Sequence, residues 1–160
     1  MRRVMKIASM AFLASWAFVG LAPMAHAADG KAVFESHCAA CHQPDGAGAV
    51  GLAPPLAGTL GQRVAVPAGR AYIPGVLVSG LAGKIESKGN TYNGIMPNWV
   101  ALSDDELASV ANYVLEAFNK DLLAADHRAY TADDMAEARA HKPTGKELKA
   151  LRVESEAKTK

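Results

Sequence analysis

Both cysteines of this 160-residue chain fall in one short stretch that ends on a histidine, Cys38-Ala39-Ala40-Cys41-His42. Positions i, i+3 and i+4 of a helix lie on one face, so two thiols and an imidazole can be aimed at a single place. The residues leading in favour that geometry. Val33, Phe34, His37 and Cys38 repeat at the three- and four-residue spacing of one buried face, which predicts a helix over 29–41. Gly30, one turn before Phe34, costs helix stability and is understandable where a second helix passes close by. Two cysteines are too few for a disulfide-rich scaffold or for a zinc finger built from paired CxxC knuckles.

The N-terminus has to be set aside before composition says anything. Arg2, Arg3 and Lys6 form a basic start, an apolar run follows over 7–22, and Pro23 precedes the small-residue site Ala25-His26-Ala27. That order predicts a secretory signal peptide over 1–27, cleaved after Ala27. The run is short for a membrane span of roughly 20 residues, which disfavours an uncleaved anchor. Met5 and Lys6 fit a twin-arginine signal poorly, so general export is expected. The remaining 133 residues carry 14 Lys+Arg against 16 Asp+Glu, a net charge of −2. Such a balance argues against a nucleic-acid binder, which needs a basic surface. Past residue 27 the chain holds only Met96 and Met135, one tryptophan (Trp99), and His37, His42, His127 and His141.

Along the rest of the chain, 43–69 is rich in Gly, Pro and Ala with no long periodic run, and its apolar content predicts a loop wrapped on something hydrophobic. A short helix is expected over 73–81 and irregular chain over 83–98. Ser103-Asp104-Asp105-Glu106 is a capping box that opens the clearest helix, with an apolar stripe of Leu107, Val110, Ala111, Val114, Leu115 and Phe118. Beyond Asn119 the chain turns polar, with weak helical pieces starting near Thr131 and at the second capping box, Thr144 to Glu147. Lysines and arginines there alternate with acids, which predicts a solvated helical face rather than a binding patch. No β alternation is sustained. The expectation is an all-α chain of few helices and long loops. So few helices bury little core, yet long loops must be held, so something large and apolar should fill the middle.

Cys38 to His42 supplies it, because C-x-x-C-H is the attachment signature of a c-type haem. Both thiols can form thioethers to the haem vinyl groups while His42 reaches the iron. A thioredoxin-like redox pair would want a strand before it, and a structural disulfide needs no adjacent histidine. For the second axial position, Met96 in Tyr92-Asn93-Gly94-Ile95-Met96-Pro97 is favoured over Met135, which lies in the polar tail. Met96 could otherwise be core filler. His37 is expected to pack on its own helix, and His127 and His141 to face solvent.

With Ala53-Pro54-Pro55-Leu56 between the two motifs and a capped helix after them, the chain from about residue 30 to 118 resembles a class I cytochrome c of the small bacterial periplasmic kind. The resemblance implies a cytochrome c fold over 28–119, with loops around one covalent haem, and leaves 120–160 as a charged, partly helical extension. A chain ending at Lys120 is then expected to keep its haem. In that family a glycine and an aromatic of the first helix pack across the last; Gly30 and Phe34 match, with Val110 and Tyr113 opposite. The proline carbonyl that accepts from the proximal imidazole would be that of Pro54, with Pro55 the alternative. The implied function is a periplasmic carrier of single electrons between redox proteins, free or as a subunit beside a dehydrogenase, reductase or oxidase. Neither catalysis nor stable membrane insertion after signal cleavage is implied. The alternative is a haem enzyme or gas sensor with an open sixth position, for which only His37 or Tyr92 could serve as the distal polar group.

Overall fold

The structure, a computed structural model, describes residues 28–158, so the expected signal peptide lies outside the described residues. The first helix, α1 (Gly30–His37), is capped by Asp29, whose carboxylate accepts from the amides of Lys31 and Ala32. The continuous helix expected over 29–41 is broken at Cys38, which ends α1 and starts a short turn, α2 (Ala39–His42). The backbone still threads through, since the His42 amide donates to the Cys38 carbonyl at 2.9 Å.

The next helix, α3 (Pro67–Ser79), is longer than the 73–81 expected and runs straight through Pro74. Proline has no N–H for the carbonyl four residues back, that of Arg70, and an orphaned carbonyl there would normally end or kink the helix. Here the Tyr130 hydroxyl donates to the Arg70 carbonyl at 2.9 Å, so a residue from far along the chain satisfies it.

The all-α expectation is corrected by a two-stranded antiparallel hairpin, β1 (Leu81–Ser87) and β2 (Asn90–Met96), where irregular chain was expected. Its turn residues Lys88 and Gly89 both have positive φ (46° and 77°), which matches the right-handed twist of the strands. Leu81, Gly83 and Ile85 stand opposite Met96, Gly94 and Tyr92, and all six line one cavity.

Ser103 caps α4 (Asp104–Asn119) with the expected capping box, and Leu107, Val110, Ala111, Val114 and Leu115 are buried along it. α1 crosses α4 at Gly30, where a Cβ would fall on the Ser109 carbonyl. Phe34, fully buried, then sits in a cluster of rings with Tyr113 and Phe118, centroids 5.5 and 5.2 Å away.

The segment after Asn119 folds into α5 (Ala132–His141) and α6 (Gly145–Ala157), capped by Thr131 and Thr144. A solvated face is correct for only one side of them. Met135 and Leu148 are fully inaccessible, and Tyr130, Arg152 and Ser155 are buried too. α5 packs on α3 and α4, and α6 packs on α3 and the hairpin. Met135 is therefore a core residue of the extension, and His127 is half-buried while His141 is exposed.

Candidate functional site

A cavity of about 340 Å³ lies between the α1–α2 corner, the 51–60 loop, the hairpin and the inner faces of α3 and α4. Its walls are mostly apolar, including Leu56, Ile73, Val76, Leu77, Leu81, Ile85, Val110 and Val114. Gly83 and Gly94 face each other across the hairpin and put no side chain into the space. This is the hydrophobic centre that the poor helical core requires.

Cys38, Cys41, His42, Pro54 and Met96 all line this one cavity, so the residues singled out in the sequence are brought together. Both thiols are unbridged, Cys38 half-buried and Cys41 exposed. Burial, with the neighbouring Cys41 adding to it, pushes the Cys38 thiol up to about 11. A redox-active CxxC pair works through a thiolate of depressed pKa, the opposite direction.

His42 is buried at the head of the cavity, and its Nδ1 lies 2.9 Å from the Pro54 carbonyl oxygen. A carbonyl can only accept, so Nδ1 carries the proton and donates, which leaves Nε2 with a free lone pair. Burial holds the His42 pKa below its ordinary value, against the opposing pull of that bond, so the ring stays neutral. A neutral imidazole with its tautomer fixed by a carbonyl is the form that binds a metal through Nε2.

Met96 ends β2 on the hairpin side of the cavity, partly buried. The segment around it is closely held. The Trp99 amide donates to the Leu77 carbonyl at 2.8 Å, and a side chain at Gly80 would strike the Met96 carbonyl. Arg139 of α5 then donates to the carbonyls of Val100 and Leu102 at 3.1 and 2.9 Å and pairs with Asp104. His37 also reaches the cavity, but contrary to expectation its ring packs away from its own helix, on Trp99 in the loop before α4, with centroids 5.2 Å apart.

Sequence reasoning missed Asn119, which is 3% exposed. Its carbonyl oxygen accepts from the amides of Thr59, Leu60 and Gly61, while its Nδ2 donates to the carbonyls of Leu56 and Val114. One amide thus fixes the loop that follows Pro54 and Pro55. Read as the end of α4, it carried no separate signal; a polar residue in phase with the apolar stripe was the available hint. Arg152, from the extension, was missed as a cavity residue as well.

The donor set fits a covalently held haem: two unbridged thiols, a neutral imidazole with one free nitrogen and a thioether all border one apolar cavity. Comparison with known proteins agrees. A family model described as Cytochrome c matches residues 27–118. A protein named Cytochrome c-552 from Thermus thermophilus is 38% identical over 125 residues, covering 78% of this chain and 95% of its own. A second Cytochrome c-552, from a particular strain of the same species, is also 38% identical over 125 residues, covering 78% of this chain and 84% of its own.

Proposed function

Because this chain belongs to the cytochrome c family and is a monohaem electron-transfer cytochrome, we propose a specific assignment of its cavity residues. Cys38 and Cys41 would carry the thioether bonds of haem c, His42 and Met96 would hold its iron, and the Pro54 carbonyl orients His42. When bound, the haem supplies a one-electron couple between ferric and ferrous iron. What the protein adds is electronic tuning and exclusion. Met96, a soft neutral donor, favours the ferrous state and raises the potential. The apolar walls disfavour the extra positive charge of ferric iron and act in the same direction. The Pro54 bond fixes the imidazole ring and strengthens it as a donor. With His42 and Met96 both serving as ligands, a substrate or gas would have to displace one of them to reach the iron, which suits an electron carrier.

We further propose that the protein works in the periplasm, exchanging electrons with redox proteins there. The order of basic start, apolar run and A-x-A site over 1–27 supports export. Among the described residues no helix is long and apolar enough to cross a membrane.

The bond between His42 Nδ1 and the Pro54 carbonyl carries the assignment, since it leaves one imidazole nitrogen for metal. Met96→Ala tests the other side: the variant should keep covalent haem, lower the reduction potential and let carbon monoxide bind the reduced iron. An unchanged spectrum and potential would move the ligand role elsewhere.

A further inference from the structure

Pro54 and Pro55 have no N–H, so the carbonyl is the only polar handle on each. The Pro54 carbonyl accepts from His42 Nδ1. The Pro55 carbonyl accepts from the Thr59 hydroxyl at 2.9 Å, which shares its hydrogen with the Leu56 carbonyl at 3.0 Å. Proline fixes φ, so the link between the two carbonyls is stiff and holding one helps to hold the other. On the far side the Gly48 backbone comes so close that a Cβ there would fall 2.7 Å from both atoms of the bond joining Pro54 to Pro55. The contact with His42 therefore depends on what holds Thr59.

Asn119, the last residue of α4, holds it. A residue ending a helix has only to satisfy the last carbonyls, and its Nδ2 bond to the Val114 carbonyl at 3.0 Å does so. The rest of the amide works outside the helix. Its Oδ1 accepts from three successive amides, Thr59 at 3.0 Å, Leu60 at 2.9 Å and Gly61 at 3.2 Å, and Nδ2 also donates to the Leu56 carbonyl at 3.1 Å. Beside it, the Phe118 carbonyl accepts from the Gly58 amide at 3.0 Å. Three donors on one buried oxygen are more than helix capping requires, and burial strengthens each bond.

Resting on the haem assignment above, we propose that Asn119 is a positioning residue for His42, acting through Thr59 and the Pro55–Pro54 link to keep the Pro54 carbonyl on the imidazole. The end of α4 thereby sets how basic a ligand His42 is. A firm acceptor at Nδ1 makes the imidazole more basic, and a more basic ligand favours ferric iron. Loosening the relay raises the reduction potential.

The test uses the full-length, haem-loaded protein and two readings. One is the ferric-to-ferrous ratio of a sample poised at the wild-type midpoint, and the other is the rate at which the His42 Nδ1 proton exchanges with solvent, followed by NMR in the ferrous protein. Asn119→Ala should speed the exchange roughly tenfold, the weight of one hydrogen bond. It should lower the ratio roughly threefold, about 28 mV for a one-electron couple. Thr59→Val keeps the shape without the hydroxyl and should move both readings the same way by smaller factors. Thr59→Ser keeps the hydroxyl and should give wild-type values; equal shifts in the two Thr59 variants would overturn the relay. Leu148→Ala, which touches none of these bonds, should melt earlier with both readings unmoved, and readings that shift there as well merely follow stability and overturn the proposal. An Asn119→Ala protein that melts earlier while either reading stays at its wild-type value overturns it too. If Asn119→Ala does not accumulate, an unmoved reading in Thr59→Val is equally decisive. Visible c-type bands without these shifts refute the relay alone, whereas a wild-type protein lacking such bands refutes the haem assignment beneath it.

Discussion

Two pairs of helices close this molecule, and they do so with opposite chemistry. α1 and α4 interlock sterically: a glycine lets the backbones touch at Ser109, and Phe34, Tyr113 and Phe118 fill the crossing. α5 and α6 each place one fully buried apolar anchor, Met135 and Leu148, with Ala138 and Leu151 packed beside them, and add arginines that reach backbone carbonyls. Arg139 holds the carbonyls of Val100 and Leu102, Arg152 holds that of Glu86, Arg63 holds that of Arg152, and Arg70 holds those of Arg128 and Ala129. The difference teaches that a polar stretch can be structural. Long loops around a cofactor expose many carbonyls with no ladder partner, and arginine can satisfy two at once while its stem covers apolar surface.

If the arginine-joined half is as integral as the ring-packed half, removing it should cost most. Truncation after Lys120 takes away Tyr130, Met135, Leu148 and every arginine of the extension. Losing only the two anchors costs about 2–5 kcal/mol each, against a total stability of roughly 5–15 kcal/mol. From this packing the predicted outcome is the opposite of the sequence expectation: the shorter chain should not keep its haem. The truncated protein should lack a cooperative thermal transition by circular dichroism. A folded, haem-bearing truncation would show instead that the extension is a passenger.

Single substitutions sharpen the contrast. Leu148→Ala should cost about 2–5 kcal/mol, as for a fully buried leucine elsewhere. Gly30→Ala, forced against the Ser109 carbonyl, should cost about 1–3 kcal/mol by overpacking. Denaturant melts of the two variants rank the halves directly, and a neutral Leu148→Ala would break the equivalence.

The smallest effect is confined to acid. Burial raises the Asp134 pKa, but the hydrogen bonds from Arg128 and from the Thr131 amide and hydroxyl, with the Arg70 charge, outweigh it and hold the carboxyl down to about 2. Because the folded pKa lies below the ordinary value of 3.8, Asp134 stabilises α5 above about pH 4, and that contribution drains away as pH falls toward 2. Asp134→Asn should lower stability at neutral pH and flatten its fall below pH 4. An acid-unfolding curve identical to wild type would remove Asp134 from the account.

These contrasts track what the sequence could express. That Cys38, Cys41 and His42 would face one cavity was legible because the C-x-x-C-H spacing aims all three the same way. That Met96 would join them was legible because a chain so poor in methionine leaves little choice. The hairpin was not. Its inward face carries Gly83 and Gly94, and Ile95, the most hydrophobic residue of β2, points out at 84% exposure, so the alternation is out of phase. Lys88-Gly89 between two short runs was the signal passed over. The helix through Pro74 and the docking of the extension were hidden for another reason. The groups that receive Tyr130, Arg139 and Arg152 are backbone carbonyls from 37 to 66 residues away, and a carbonyl has no letter in the sequence.

The central claim is an iron closed by His42 and Met96 inside a covalently attached haem. The visible spectrum of the purified protein, oxidised and dithionite-reduced, before and after carbon monoxide, tests it most directly. Sharp c-type bands in the reduced protein that ignore carbon monoxide are the predicted result. A prompt shift on adding the gas would mean an open sixth position, and the electron-carrier account of this site would be contradicted.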